Sequence, residues 1–170
     1  MPLKPLDYEE IRNLYGRYSI AVDTGDAEAF AQCFAEDGRL SFAGLIPAAN
    51  RDGAHTGRDT FRAMLKGMYA KTQGHCLHVS NIQTIEGDGD EARVFAYAQV
   101  LRRGQAPYSG VILTGTSQAT VVRAERRWVY RDLALGIDPM PRDWPVQSKD
   151  VLVVVRDEFV AAVTKSYASQ

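Results

Sequence analysis

The first stretch with a clear hydrophobic pattern covers residues 7–34. Asp7, followed three residues later by Glu10, matches a capping box at the start of a helix. Apolar side chains then recur at steps of three and four residues, which predicts one buried helix face. The side chains on that face are Tyr8, Ile11, Leu14, Tyr15, Tyr18 and Val22.

The predicted helix ends at a corner that carries a carboxylate. Gly25 can adopt the left-handed conformation that closes a helix, and Asp26 can cap a second, short helix. On that second helix, Phe30 and Phe34 share a face with Cys33. Asp23 lies in the last turn before the corner, so it is the first candidate for chemistry.

The next residues predict one strand, one loop and one helix. Residues 38–43 alternate polar and apolar, which is typical of a strand. Residues 44–57 are rich in turn-forming residues and predict a loop that contains His55. An amphipathic third helix is predicted over 58–71 from the spacing of Phe61, Met64, Leu65 and Met68.

After Gly74 the hydrophobic pattern changes to a period of two. Strands are predicted over 76–86, 92–103, 111–123 and 127–136, with a hairpin turn at 87–90 and a proline-containing connection over 137–147. The β-branched run 152–155 favours a strand, whereas a four-residue step through Val151, Val155, Phe159 and Val163 favours a helix. We assign 148–168 as a helix.

Helices with one strand, followed by a meander of antiparallel strands, indicate an α+β fold in one domain over residues 1–170. Helices packed on one face of a curved sheet form a cone, and the mouth of such a cone is a natural site for a small molecule. The exposed part of the sheet face favours self-association as a dimer or trimer. Residues 111–113 and 151–155 are the candidate contacts.

Composition excludes several classes of function. The formal net charge is -1 and no run of like charges occurs, so we expect neither a nucleic acid nor a membrane as a partner. No stretch approaches the roughly 20 apolar residues of a membrane span, and the first residues lack the apolar centre of a signal peptide. We therefore expect a cytoplasmic protein. Cys33 and Cys76 are expected to be free thiols, and no metal-binding spacing is present.

Several segments, taken in order, resemble the NTF2-like superfamily in its SnoaL-like branch. They are the "Y…D…GD…AFAQCFAEDG" end of the first helix, the later "HVSN", the "GDGDEARVFAY" hairpin and the strand "ERRWVYRDLAL". The resemblance covers roughly residues 7–136. It implies a conical α+β barrel with a mostly antiparallel sheet and helices on its concave face. Members include scytalone dehydratase, a dehydrochlorinase, steroid isomerases, polyketide cyclases and small subunits of ring-hydroxylating dioxygenases.

The resemblance also implies a pair of catalytic residues and no cofactor. In dehydratase-like members an Asp at the end of the first helix pairs with a His at the start of the first long strand. The Asp falls on Asp23, and the His falls on or next to His78. Histidine is an effective base near neutral pH, and a carboxylate can orient its ring and stabilise the imidazolium. Such a pair would remove a proton next to a carbonyl or a leaving group.

Other side chains would bind the substrate around this pair. Hydrogen bonds to a developing enolate oxygen could come from Tyr15, Tyr18, Tyr97 or Asn81. Phe42 and Met64, together with Phe34 and Met68, would form apolar walls for a flat, hydrophobic substrate.

Structural roles remain open for the same residues. A helix-end aspartate such as Asp23 can be a capping group, His78 can be a structural histidine, and the two helix tyrosines can belong to the core. His55 and His75 fall in predicted loops and are expected at the surface.

Three functions are therefore considered. The first is a cofactor-independent lyase or isomerase for a small, hydrophobic, cyclic, oxygenated compound. The second is a binding protein for such a compound, without catalysis. The third is the small structural subunit of a ring-hydroxylating oxygenase.

Overall fold

A computed structural model of the protein describes residues 1–43, 54–104 and 110–138. Its elements in chain order are α1 (Pro5–Thr24), α2 (Ala27–Gln32), β1 (Phe34–Ala43), β2 (Ala54–Thr56), α3 (Arg58–Thr72), β3 (Cys76–Asp88), β4 (Glu91–Arg102), β5 (Gly110–Ala124) and β6 (Arg127–Ile137). The predicted elements within these ranges are all present, with ends that differ by a few residues.

The strands form one sheet in the order β2-β1-β6-β5-β4-β3. Neighbouring strands are antiparallel except β1 and β6, which are parallel. Strands β3 to β6 are the antiparallel meander that the period-two pattern predicts. The sheet is curved and does not close, and the helices pack against it, so the predicted α+β class is confirmed.

Helix α1 begins at Pro5, two residues before the predicted start. Proline is favoured in the first turn, where its missing N–H has no helical partner to lose. Lys4 is therefore the N-cap residue, and Asp7 is the third residue of the helix. The Asp7 carboxylate accepts a hydrogen bond of 2.8 Å from the backbone N–H of Lys4. The prediction of Asp7 as the cap is wrong, because the proline lets the helix start earlier.

Aromatic rings occupy the centre of the core. The Phe34 ring lies 4.3 Å from the Phe61 ring and 5.3 Å from the Tyr130 ring, measured between centroids. The Tyr18 ring lies 5.3 Å from the Phe30 ring. All five side chains are buried, and they join α1, α2 and α3 to β1 and β6. The Phe30 and Phe34 rings pack against each other at 5.4 Å. The prediction that both lie on one face of the second helix is wrong, because α2 ends at Gln32 and Phe34 begins β1.

The predicted loop over 44–57 contains a short strand at its end. Strand β2 pairs antiparallel with β1, and His55 lies opposite Leu40. The His55 side chain is 1% exposed, and its burial lowers its pKa. The prediction that His55 lies at the surface is wrong, because three residues are too few to show a strand period. His75 is exposed, as predicted.

No helix within 1–43, 54–104 and 110–138 is both long and apolar enough to cross a membrane. The helix predicted over 148–168 lies outside the described residues, as does the predicted connection beyond residue 138.

Candidate active site

The backbone at the end of α1 fixes the position of Asp23. Gly25 has a φ angle of 73°, in the left-handed region. Its N–H donates to the Val22 carbonyl at 3.4 Å, and the N–H of Asp26 donates to the Ala21 carbonyl at 3.0 Å. These two bonds form a Schellman motif, which closes the helix in a defined geometry. The predicted left-handed end at Gly25 is confirmed.

A second set of contacts joins the α1 corner to the start of β3. The ring of Tyr69, on α3, lies so close to Gly25 that a Cβ atom there would be 2.5 Å from the ring carbon Cγ. The Tyr69 hydroxyl would be 3.2 Å from a Cβ atom at Gly74, and the Asp23 carbonyl oxygen 3.5 Å from it. Tyr69 therefore packs against the loop after Asp23 and against the loop that leads to β3.

His78 is the third residue of β3, which is an edge strand of the sheet. The N–H groups on the open side of an edge strand need partners from outside the sheet. The backbone N–H of His78 donates to both carboxylate oxygens of Asp23, at 3.0 and 3.1 Å. The carboxylate is thus held by the strand backbone, independently of the imidazole ring.

The imidazole ring adds a third hydrogen bond between the same two residues. Nδ1 of His78 lies 2.7 Å from Oδ1 of Asp23. An ionised carboxylate only accepts hydrogen bonds, so Nδ1 carries the proton and the neutral ring has its free electron pair on Nε2. Within the described residues Nε2 makes no hydrogen bond. The side chains of Asp23 and His78 are 8% and 18% exposed, so the pair is largely shielded from water.

A β-bulge determines which face of the sheet His78 occupies. The register between β3 and β4 shifts by one residue between Ile82 and Thr84. Beyond the bulge, His78 lies opposite Val100, which is buried on the inner face. Without the shift, alternation would turn His78 to the outer face, because side chains on a strand have a period of two.

The same alternation places Asn81 and Tyr97 on the outer face. They lie opposite one another on β3 and β4, and Tyr97 is 53% exposed. Ala96, the residue before Tyr97 on β4, is buried and therefore faces the other way. The expectation that Asn81 and Tyr97 line the same cavity as His78 is wrong. Asn81 lies three residues after His78 on a regularly paired part of β3, so alternation turns it to the opposite face, and Tyr97 faces the same way as its partner Asn81.

Tyr15 and Tyr18 are buried inside the fold. The Tyr15 hydroxyl lies 3.3 Å from Oγ of Ser117 on β5, and burial raises the Tyr15 pKa to about 12. Burial also raises the pKa of Tyr18, and the nearby charges of Cys33, Tyr15 and Asp23 raise it further. Both phenols therefore stay protonated and keep a hydrogen to donate.

The four predicted apolar wall residues all belong to the core or pack against it, Phe34 being fully buried and Met68 partly buried. Met64 is buried in the core, and Phe42 is partly buried against it. The Phe42 ring meets the His55 ring edge to face at 6.4 Å. Their role as an apolar wall beside the pair stays a prediction.

Sequence reasoning missed three residues near the pair: Tyr69, Cys76 and Arg102. Cys76 is buried on the inner face, two positions before His78, and Arg102 is its partner across the hairpin. Strand pairs counted back from the turn at 87–90 place Cys76 opposite Arg102 only if the bulge between Ile82 and Thr84 is taken into account.

Two further features of the described residues do not involve the pair. A groove of about 210 Å³ on the outside of α1 and α2 is lined by Arg17, Ile20, Ala21, Thr24, Asp26, Ala29, Gln32, Cys33 and Arg127. In residues 1–43, 54–104 and 110–138, no group of three His, Cys, Asp or Glu side chains is placed to hold a metal ion.

The chain is similar to one protein family and to several proteins of known structure. The family described as the SnoaL-like domain matches residues 5–133. Rv3472, a protein of unknown function from Mycobacterium tuberculosis, is 24% identical with a TM-score of 0.77, over 96% of this chain and 98% of that one. An NTF2-like protein with a cystatin-like fold from Novosphingobium aromaticivorans is 24% identical with a TM-score of 0.66, over 88% of this chain and 89% of that one.

A scytalone dehydratase-like protein, also from Novosphingobium aromaticivorans, is 25% identical with a TM-score of 0.65, over 86% of this chain and 93% of that one. No match is found among curated proteins. The likenesses to solved structures agree with the conical α+β architecture predicted from the sequence.

Proposed function

Because the chain belongs to the SnoaL-like family, as its resemblance predicted, we propose that it is a cofactor-independent acid–base enzyme. It acts as a lyase of the dehydratase type, or as an isomerase, on a small, hydrophobic, cyclic, oxygenated compound. The observation that carries the proposal is the Asp23–His78 pair, with Nδ1 bound at 2.7 Å and Nε2 without a hydrogen bond in the described part of the chain. The scytalone dehydratase-like neighbour supports the choice of reaction.

In the proposed reaction Nε2 of His78 removes a proton from the carbon next to a carbonyl group. The electrons of the C–H bond form an enolate, and Asp23 stabilises the imidazolium that results. In a dehydration, the C–O bond to a neighbouring hydroxyl then breaks as the C=C bond forms. The imidazolium returns its proton to that hydroxyl, and water leaves. In an isomerisation the proton returns to a different carbon.

The pair is well suited to this reaction because Asp23 does not depend on the ring for its position. Its carboxylate is held by the His78 backbone N–H whether or not the imidazole is protonated. No part of the pair has to reorganise when the positive charge forms, which is the condition for strong electrostatic stabilisation.

We assign the hydrogen-bond donor and the apolar wall of the proposed site to buried residues of the core. Tyr18, whose pKa is raised by burial and also by the charge of Asp23, is the proposed hydrogen-bond donor to the substrate. Tyr15, whose hydroxyl lies 3.3 Å from Ser117 Oγ, is the second proposed donor. Phe42 and Met64 form the proposed apolar wall. These features favour a substrate with a flat hydrocarbon skeleton and few oxygen atoms.

The proposal is tested with 3-hydroxy-1-tetralone, which yields 1-naphthol when it loses water and aromatises. Fluorescence of the naphthol measures the rate. The full chain is expected to accelerate the reaction, and His78→Gln is expected to lower the rate by roughly 10²- to 10⁴-fold, the usual contribution of general acid–base catalysis. His75→Gln, which changes an exposed histidine three residues earlier, is the matched control and should leave the rate unchanged.

A rate that is equal in the unchanged chain and in the His78→Gln variant would reject the enzyme. If the ketone binds with equal affinity to both proteins and neither converts it, a binding protein of the same fold becomes the better interpretation. Co-purification with a larger oxygenase subunit would instead favour a structural subunit.

We also expect the protein to form a dimer or trimer in the cytoplasm. The outer face of the sheet carries Val79, Tyr97 and Val111, all substantially exposed. Exposed apolar side chains on one sheet face favour contact with a second copy. Light scattering that gives the mass of one chain at micromolar concentration would reject this expectation.

A further inference from the structure

Arg102 is a cation on the inner face of the sheet, close to the proposed base. It is the last residue of β4 and lies opposite Cys76, just as Val100 lies opposite His78. The pairing between these positions is regular, so Arg102, Val100, Cys76 and His78 point to the same face. Cys76 and Val100 are buried, which identifies that face as the inner one.

The guanidinium of Arg102 is incompletely paired. Its Nη1 atom is buried and has no hydrogen-bond partner in the part of the chain that the structure describes. Among the same residues, no Asp or Glu lies within salt-bridge distance of it. A buried charged donor without a partner is costly, and native proteins keep few such groups. A donor without a partner among the described residues is therefore a candidate for binding a ligand.

The electrostatics of Cys76 place Arg102 and Asp23 in one neighbourhood. Burial raises the pKa of the Cys76 thiol, Asp23 raises it further, and Arg102 lowers it. Both charges therefore act on the pKa of the Cys76 thiol. Asp23 already accepts three hydrogen bonds from His78, so among the described residues it does not neutralise the Arg102 guanidinium.

We propose that Arg102 binds an anionic oxygen of the substrate, and that the substrate of the proposed reaction presents this oxygen near the carbon that His78 deprotonates. The inference rests on the proposed function for its location. The oxygen has two possible sources: a carboxylate of the substrate, or the enolate that forms during proton removal. A guanidinium suits both, because its parallel N–H groups can bind a carboxylate in bidentate fashion or stabilise a developing oxyanion.

The experiment measures binding of small probes to the full chain by NMR, at the backbone amides of β3 and β4. The carboxylate probe is 2-naphthoate and its neutral counterpart is 2-naphthamide. The enolate probe is 4-nitrophenolate and its neutral counterpart is nitrobenzene. At least one anion is expected to bind about tenfold or more tightly than its neutral counterpart, as a charge-assisted hydrogen bond in a shielded site provides.

Variants of two adjacent arginines assign the preference. Arg102→Gln is expected to abolish it and Arg102→Lys to retain part of it, because lysine keeps the charge but not the planar geometry. Arg103→Gln is the matched control: its side chain is exposed, and the preference should remain. An unchanged Asp23–His78 hydrogen bond in the NMR spectrum of each variant shows that the fold is intact.

The results separate the two sources and the two proposals. A preference for naphthoate supports a carboxylate substrate, and a preference for nitrophenolate alone supports an enolate. Equal affinity for anions and neutral probes, no binding of either anion, or a preference that survives Arg102→Gln would overturn the inference. His78→Gln should keep the preference, so anion binding without any dehydration would reject the proposed function and leave the role of Arg102 standing.

Discussion

Replacement of Gly25 by alanine tests whether Tyr69 packs tightly against the corner that carries Asp23. Two separate costs apply. A residue with a Cβ atom at a φ of 73° is strained, by about 1–2 kcal/mol. The new Cβ would also lie 2.5 Å from Tyr69 Cγ, which forces the ring or the corner to move. Overpacking of this kind costs typically about 1–3 kcal/mol. The sum is a destabilisation of about 2–5 kcal/mol.

Two other glycines separate these costs. Gly89, in the turn between β3 and β4, has a φ of 63°, and a Cβ atom added there would have no neighbour within 4 Å, so Gly89→Ala measures the strain alone. Gly74 has a φ of 70° and a nearest contact of 3.2 Å, so Gly74→Ala should fall between the other two. The assay is urea unfolding followed by tryptophan fluorescence, which gives the free energy of unfolding for each variant.

A double-mutant cycle with Tyr69→Ala completes the test. Without the ring, Gly25→Ala should cost only the strain, about 1–2 kcal/mol, so the cycle should yield a coupling of about 1–3 kcal/mol. The reasoning is refuted if Gly25→Ala costs no more than Gly89→Ala, or if the cost is the same with and without the Tyr69 ring.

Three further predictions concern other parts of the molecule. The backbone N–H of Lys4 and the Arg123 guanidinium lower the pKa of Asp7 below its ordinary value of 3.8. The ion pair with Arg123 therefore stabilises the fold at any pH above 3.8, and this stabilisation is lost as the pH falls through the lowered pKa. Arg123→Gln should therefore lower the urea midpoint strongly near neutral pH and little in strong acid, and an equal loss at both would contradict this. Burial raises the pKa of the Cys33 thiol to about 11, and burial together with Asp23 raises the pKa of the Cys76 thiol. Ellman's reagent should therefore label both thiols only as the protein unfolds, and rapid labelling of the folded protein would contradict this. Asp23→Asn should move the ring proton of His78 from Nδ1 to Nε2, because a side-chain amide can donate to Nδ1; nitrogen chemical shifts identify the tautomer, and an unchanged tautomer would speak against the Asp23 hydrogen bond.

The sequence allowed good prediction where local rules decide the structure. The capped corner at Gly25 and Asp26 follows from residue types alone, and the antiparallel meander follows from the period of two. Asp23 was a candidate from its place in the last turn of the first helix, and its pairing with His78 came from the resemblance. Their hydrogen bond is a tertiary contact between residues 55 positions apart, which periodicity cannot reveal.

Apart from the start of α1, the errors about the site concern strand pairing. A single bulge between Ile82 and Thr84 turns His78 to the inner face, and Asn81, three residues further along the same strand, then faces outward. The short strand that buries His55 is stabilised by pairing with β1, and three residues leave no pattern to detect. Arg102 was missed because its neighbour Cys76 can be identified only from the register of the hairpin.

The central claim is that His78, oriented by Asp23, removes a proton from carbon. The most direct test is exchange of the protons next to the carbonyl of 1-tetralone in heavy water, followed by proton NMR, because exchange requires proton removal and no leaving group. The full chain should exchange these protons at least about 100-fold faster than the His78→Gln variant, and the His75→Gln variant should match the unchanged chain. Equal exchange with and without His78 would contradict the account.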